Sequence, residues 1–184
     1  VDAVISGRLN LTDGGFIDRA AANEATYRTL LTNGFQGGTW NGPQPAIFST
    51  AAAGGPTNDG IGYGTGAQTG LVNFFGSAVA AGDLLIRYTL NGDSNLDGSV
   101  NINDFALLAA NFNTANTNWS RGNYNYDLNT DISDFAQMAA NFNMVLPSDP
   151  PRPAASPFSA VRVPAAVEKA PEIGFDRDTL LAEI

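Results

Sequence analysis

The sequence predicts an α+β protein in three parts: a mixed β/α region over residues 1–91, a duplicated loop-and-helix module over 92–143, and an extended tail over 144–184. Strand-like and helix-like apolar patterns are mixed before residue 92. After it, one 22-residue pattern is written twice. Seven of the ten prolines then follow Met144, a composition typical of an extended segment rather than a packed domain.

The composition limits the classes of function. The chain has 184 residues, a net charge of −9, no cysteine and no histidine. The negative charge disfavours nucleic acid and anionic membrane surfaces as partners. Without cysteine and histidine there are no thiolate nucleophiles, structural zinc sites, His-based triads or disulfides. No apolar run approaches the length of a membrane span, so we expect no membrane insertion.

The first region begins with a predicted hairpin and a predicted helix. Apolar and polar residues alternate from Val4 to Leu11, and a turn at 12–15 precedes Phe16 and Ile17, which predicts a β-hairpin. The apolar spacing from Ala20 to Thr32 predicts an amphipathic helix. Asn33 and Gly34 are expected to end that helix.

The middle of the region is rich in glycine. Residues 36–43 predict a compact turn cluster around a buried Trp40, an interpretation favoured over a sugar-stacking platform. Residues 47–53 predict a short helix, and residues 60–64 a strand. A second strand is predicted over 84–90, leading directly into the repeats.

The duplication spans Gly92–Asn113 and Gly122–Asn143, with 12 of 22 positions identical. In the first copy, oxygen-bearing side chains fall at positions 1, 3, 5, 9 and 12 of a twelve-residue loop. This spacing is that of an EF-hand calcium loop. The predicted ligands of the first loop are Asp93, Asn95, Asp97, Ser99, Asn101 and Asp104.

The spacing has a physical reason. Calcium takes six to eight oxygen ligands at about 2.3–2.6 Å, and a tight loop turns alternate side chains inward. Ser99 would contribute its carbonyl, and Asn101 would bind directly or through a water. Gly98 suits the sharp turn at position 6. Val100 is expected to point away from the ion, into a pairing between the two loops.

The second loop departs from the pattern at two positions. Asn123 replaces an aspartate at position 1, and Leu128 stands where glycine is expected, so we predict a weaker site. Asp131 at position 9 restores three carboxylates. The predicted ligands of the second loop are Asn123, Asn125, Asp127, Asn129, Asp131 and Asp134. The alternative for either loop is an acidic turn before a core helix, without metal.

Only the helices that follow the loops are evident, because a strand precedes the first loop. Apolar residues share one face of each helix: Phe105, Leu108, Ala109 and Phe112 in the first, and Phe135, Met138, Ala139 and Phe142 in the second.

Two such units with Asp at position 12 resemble the type I dockerin module, over 92–143. The segments GGTWNGP, IGYG and LLIRYTLNGD resemble the region before dockerin-type repeats in certain secreted bacterial surface proteins. The resemblance implies an extracellular or cell-surface location. A secreted protein would begin here at a processed or truncated end.

Three functions remain open. The first, which we predict, is a non-enzymatic calcium-binding structural protein whose copies join in a fibre or surface array through residues 147–184. In that tail, Phe158–Val163 would add a strand and Asp178 would cap a helical turn. The second is a dockerin docking to a cohesin-type receptor through residues such as Asn103 and Ser133. The third is a fragment of a glycan-degrading enzyme, disfavoured because carboxylates are sparse outside the loops.

Overall fold

The structure is a computed structural model that describes residues 7–19, 24–54 and 59–147. The strand predicted at Phe158–Val163 and the cap predicted at Asp178 lie outside these residues. Helices and strands are mixed along the described chain, so the predicted α+β class is confirmed.

The described residues form five α-helices, nine strands and two short 3-10 helices. The helices are α1 (Glu24–Phe35), α2 (Thr50–Gly54), α3 (Gly66–Thr69), α4 (Ile102–Ala110) and α5 (Ile132–Ala140), with 3-10 turns at Gln36–Gly38 and Trp119–Arg121. The strands are β1 (Arg8–Asn10), β2 (Gly15–Asp18), β3 (Ala46–Phe48), β4 (Asp59–Thr65), β5 (Asn73–Phe74), β6 (Ser77–Ala78), β7 (Leu84–Leu90), β8 (Thr114–Ala115) and β9 (Asn129–Thr130). The predicted strands at 60–64 and 84–90 and the helices after both loops are confirmed.

The central sheet has the strand order β2-β7-β4, and both pairings are antiparallel. β1 pairs in parallel with β3 instead of with β2. The predicted hairpin over 4–17 is therefore wrong for its described residues. The turn at residues 12–13 is present, but the exposed β1 pairs with β3 and the half-buried β2 pairs with β7, because β3 and β7 are the more buried strands.

Two helix predictions also need correction. Residues 46–48 form strand β3 rather than the start of a helix, and Ile47 is buried in the core. The described part of α1 continues to Phe35, past its predicted end at Asn33 and Gly34. A Cβ added at Gly34 would lie 1.8 Å from the carbonyl oxygen of Ile47. The glycine therefore allows β3 to approach the helix closely, which is a packing role rather than a capping one.

The N-terminal region and the loop module share one hydrophobic core. Alternate glycines of β4 lie against the module: an added Cβ would lie 2.4 Å from Leu96 Cδ2 at Gly62, and 1.9 Å from Ser120 Oγ at Gly64. Trp40 is buried as predicted, and its ring lies 6.0 Å from that of Tyr126 in the second loop. Side chains of the N-terminal region and of the loop module therefore pack together in this core.

Candidate metal centre

The two loops are related by reciprocal hydrogen bonds. Asn143 N donates to Val100 O at 2.8 Å, and Asn113 N donates to Thr130 O at 2.8 Å. Each loop thus pairs with the chain that leaves the other loop's helix. The predicted pairing between the loops through Val100 is wrong, although Val100 is buried as expected. Each loop pairs with this segment because the C-terminal end of each helix lies beside the N-terminal end of the other helix.

The same pairing extends the module beyond its predicted end at Asn143. Val100 N donates to Met144 O at 2.9 Å, and Leu146 N donates to Gly98 O at 2.8 Å. Ser99 also forms an isolated antiparallel β-bridge with Val145. Residues 144–146 are therefore hydrogen-bonded to the first loop.

Two carboxylates are buried in the first loop. Asp104 accepts hydrogen bonds from Asn95 N at 3.1 Å and from Asn101 N at 2.9 Å. Asp93 accepts from Asp97 N at 3.0 Å and Gly98 N at 2.9 Å, and also from the Thr89 hydroxyl. Both side chains are fully buried. The backbone of the loop therefore closes around the first and last predicted ligands.

The remaining side chains of the first loop hold its turns. Asn95 Oδ1 accepts from Asp97 N at 3.0 Å, and Asp97 Oδ1 accepts from Ser99 N at 2.8 Å. Asn101 is the N-cap of α4 and forms a capping box with Asp104. Capping explains Asn101 and one oxygen of Asp104, whose other oxygen accepts from Asn95 N. The buried Asp93 at position 1 lies outside the helix, so capping does not explain it.

The second loop repeats this conformation. Asp134 accepts from Tyr124 N at 2.7 Å and from Asp131 N at 3.0 Å, and Asp127 Oδ1 accepts from Asn129 N at 2.8 Å. Asp131 and Asp134 form the capping box of α5. Asn125 Oδ1 accepts from Asp127 N at 3.0 Å, as Asn95 Oδ1 does in the first loop.

Position 6 has the same left-handed backbone in both loops. Gly98 has φ 90° and Leu128 has φ 75°. A leucine in this region is strained by its Cβ, whereas a glycine is not. The strain expected for Leu128 is therefore present in the turn.

Burial disfavours the ionised form of several carboxyl groups in the loops. It raises the pKa of Asp93 to about 7, with a further contribution from the negative charge of Asp104. It also raises the pKa of Asp134 to about 6, and raises that of Asp104. The pKa of Asp131 is lowered instead, because Ser133 donates hydrogen bonds to its carboxylate. A divalent cation would offset the cost of burying these carboxylates as charged groups.

The first position of the second loop offers a test of whether a cation fits. Asn123 Oδ1 is buried and has no hydrogen-bond partner among the described residues. Asn91 and Asn118 also have such an oxygen, but only Asn123 is at the position equivalent to the predicted ligand Asp93. A buried amide oxygen without a partner is costly unless an ion or water meets it.

The donor set consists of oxygen atoms. Within the described ranges, no group of three or more His, Cys, Asp and Glu side chains is arranged to hold a metal ion. Each loop instead alternates carboxylates with amide oxygens and a main-chain carbonyl, which is the ligand type that calcium prefers. The residues therefore fit calcium better than zinc or another transition metal.

Several residues that fasten the loops were not predicted. Trp119 Nε1 donates to Asp93 O at 2.8 Å, and Arg87 Nη1 donates to Leu96 O at 3.0 Å. Ser94 Oγ and Tyr124 OH, both at position 2, are 2.6 Å apart and connect the two loops. The sequence feature that could have indicated these contacts is the pair of aromatic residues at positions 2 and 4 of the second loop. Aromatic side chains at these positions indicate packing against the protein rather than exposure to solvent.

The helices after the loops are only half buried. Leu108 and Met138 are buried, whereas Phe105, Phe112, Phe135 and Phe142 of the predicted apolar faces remain partly exposed. The rings of Phe105 and Phe135 are 6.3 Å apart. The two helices therefore contact each other and still leave apolar surface in water.

Comparison with protein-family models, with curated proteins and with solved structures found no match for this chain. Among the described helices, none has the length and apolar character needed to cross a membrane.

Proposed function

We propose that this protein is a non-enzymatic, extracellular calcium-binding structural protein whose copies assemble through residues 147–184. The observation that carries the proposal is the burial of an oxygen-bearing side chain at the first position of each loop. Asp93 is 0% exposed and Asn123 is 2% exposed. Helix capping does not require either residue, whereas a bound cation would use both.

Each loop would hold one calcium ion. The ligands are Asp93, Asn95, Asp97, Ser99, Asn101 and Asp104 in the first loop, and Asn123, Asn125, Asp127, Asn129, Asp131 and Asp134 in the second. The ion would neutralise the carboxylates and tie the loop to the first turn of its helix. Calcium binding would then add directly to the folding free energy.

Carboxylates outside the loops support a structural role over catalysis. Asp83 forms an ion pair with Arg19 at 2.9 Å, and Asp59 accepts a hydrogen bond from Tyr88 at 2.6 Å. Glu24 accepts from Asn118 at 2.7 Å and lies 3.3 Å from Arg28. These contacts stabilise the fold, and a pair of carboxylates facing a common cleft, as a glycosidase needs, is not among them.

Calorimetric titration of chelated protein with calcium tests the metal sites. We expect two binding events, the weaker of which disappears when Asp134 is replaced by alanine. The event assigned to the first loop should survive that replacement. A flat titration of the wild-type chain would end the proposal.

Assembly is tested separately by electron microscopy of the protein with and without calcium. The matched variant is a chain truncated after Pro147, because a cut at Asn143 would remove Leu146 and its hydrogen bond to Gly98. We expect extended assemblies from the full chain and none from the truncated one. Identical assemblies from both would rule out the tail as the joining segment.

A second candidate function is docking to a cohesin-type receptor. Asn103 and Ser133 support it, because they are exposed at equivalent places in the first turns of α4 and α5. Binding to an immobilised cohesin domain, compared between the wild type and an Asn103→Arg/Ser133→Arg variant, would test it. Equal retention of both would contradict docking through these residues.

A further inference from the structure

Exposed apolar side chains lie on the two repeat helices and in the segments that follow them, and we name this set the helix face. It consists of Ile102, Phe105, Phe112, Ile132, Phe135, Phe142, Met144 and Val145. These eight are among the twelve exposed large hydrophobic side chains of the described residues, with Ile102 65% and Ile132 68% exposed. Four of the eight, Ile102, Phe105, Phe135 and Phe142, line one groove, and an exposed apolar cluster of this kind marks an interaction surface.

The helix face is concave in part. Side chains from both helices line an open groove of about 390 Å³. Its lining residues are Ile102, Phe105, Phe135, Met138, Ala139 and Phe142. The edge-on contact between the rings of Phe105 and Phe135, at 67°, forms part of this lining. A protruding apolar side chain of a partner could therefore lodge between the helices.

The helix face has no exposed charge. Asp104 and Asp134 are the only charged residues within 102–114 and 132–147, and both are fully buried. The chain as a whole carries a net charge of −9. A partner selected by opposite charge would find nothing to pair with here, whereas an uncharged apolar surface suits the face. A second copy presents such a surface, and it can approach without bringing like charges together.

The helix face also has two equivalent halves within one copy. Ile102 and Ile132 occupy equivalent positions, as do Phe105 and Phe135, and Phe112 and Phe142. The reciprocal hydrogen bonds of Val100 and Thr130 relate the two halves. A copy turned by half a revolution would therefore set one row of apolar side chains against an equivalent row. Contacts of this kind are isologous, which means that both copies use the same surface, and they produce closed dimers.

We propose that two copies of this protein bury their helix faces against each other in a two-fold dimer. This inference goes beyond the proposed function, because the contact uses neither residues 148–184 nor the calcium ligands. Each copy then has two association surfaces. The dimer would be the unit that the tail links into longer assemblies.

Sedimentation of the full chain in calcium, at concentrations below those at which the tail forms extended assemblies, tests the dimer. The variant Ile102→Glu/Ile132→Glu adds charge to both halves of the helix face, at exposed first positions of helices where glutamate is well tolerated. The control Val72→Glu/Ser77→Glu adds the same charge at exposed positions elsewhere. We expect a wild-type dimer, a control dimer, and at least a tenfold weaker dimer for the helix-face variant. A wild type that stays monomeric, or a helix-face variant as dimeric as the control, would overturn the proposal.

A charge-swap experiment identifies the occupant of the face. The variant Ile102→Lys/Ile132→Lys should also be monomeric alone, and mixing it with the glutamate variant should restore dimers. Monomers after mixing would overturn the proposal and leave the tail or a different protein as the occupant. Circular dichroism of each variant checks its fold, and calcium titration reports separately on the proposed function. If the charged variants fail that check, Ile102→Ser/Ile132→Ser replaces them, and an unweakened dimer would again overturn the proposal.

Discussion

Two of the differences between the loops make the second the weaker candidate site, although the backbone is nearly the same in both. Asn123 stands in place of Asp93, and Leu128 stands in place of Gly98 with a similar left-handed φ. The first difference changes the charge at the candidate site, and the second changes the strain in its turn. Each can be reversed by a single substitution, so the two effects can be measured separately.

Asn123→Asp should tighten calcium binding by the second loop by about tenfold, or about 1.4 kcal/mol, because a negative ligand replaces a neutral one. In chelator, the same change should lower the free energy of unfolding, because it buries a further carboxylate beside Asp134. Calorimetry and denaturant unfolding with and without calcium measure the two effects. A variant that is equally stable in both conditions and binds no tighter would argue against an ion at this position.

Leu128→Gly should stabilise the protein by about 1 kcal/mol, because glycine adopts the left-handed backbone without strain. Leu128 is partly exposed, so little burial is lost. Gly98→Ala is the matched control: it places a Cβ on the same turn of the first loop and should destabilise. Thermal unfolding compares them, and changes of the same sign would contradict the strain argument.

Asp104 has a double role, because its carboxylate both caps α4 and stands at position 12 of the loop. In chelator, Asp104→Ala should cost about 1 kcal/mol of stability, the usual effect of a lost cap. In calcium the loss should be clearly larger, since the candidate site loses a ligand as well. Denaturant unfolding in the two conditions separates the roles. An equal loss in both would mean that Asp104 acts only as a cap.

Strand β4 provides the surface on which the loop module packs. Its glycines alternate, so the bare backbone of one face receives Leu96, Trp119 and Ser120. The hydroxyl of Tyr126 donates to Ile61 O of the same strand at 2.6 Å. β4 thus holds both the first loop, through Leu96, and the second, through Tyr126.

Gly62→Ala should destabilise the protein by about 1–3 kcal/mol, because its Cβ would overlap Leu96 Cδ2 and the indole of Trp119. Gly54→Ala is the control, since an added Cβ there meets no atom of the described residues within 4 Å. Thermal unfolding measures both variants. A Gly62 variant as stable as the control would mean that the module can shift away from β4 at little cost.

The shared core joins the two loops to the N-terminal region. Trp119 touches Tyr124 and Tyr126 of the second loop and hydrogen-bonds to Asp93 of the first. Tyr126 in turn lies against Trp40 and Phe35. A disturbance of the loops therefore has a route of direct contacts into the first region.

Chelation should increase hydrogen exchange most within 92–146, where repulsion among the loop carboxylates opposes closure. A smaller increase is expected in β4 and β7, which contact the loops, and the least in α1 and β3. Hydrogen exchange by mass spectrometry, with and without chelator, measures the order. Equal changes in all of these elements would indicate that the loops are acidic turns without an ion.

Local patterns in the chain were enough to predict the class, the strands β4 and β7, and the helices α4 and α5. The candidate ligands were inferred from the same kind of pattern, and they stay a prediction. The reason is that apolar periodicity and ligand spacing act over a few residues, and each is complete within one element. Trp40 was predicted to be buried because a large aromatic side chain among glycines has few other stable places.

Strand pairing and the closing of the loops depend on residues far apart in the chain. β1 pairs with β3 across helix α1, and each loop binds the chain that follows the other loop's helix, whereas adjacent segments had been expected to pair. Local signals favour a turn or a strand but do not select its partner. The partner is selected by which surfaces together exclude most water while satisfying their backbone hydrogen bonds, and that choice is made only when the whole chain packs.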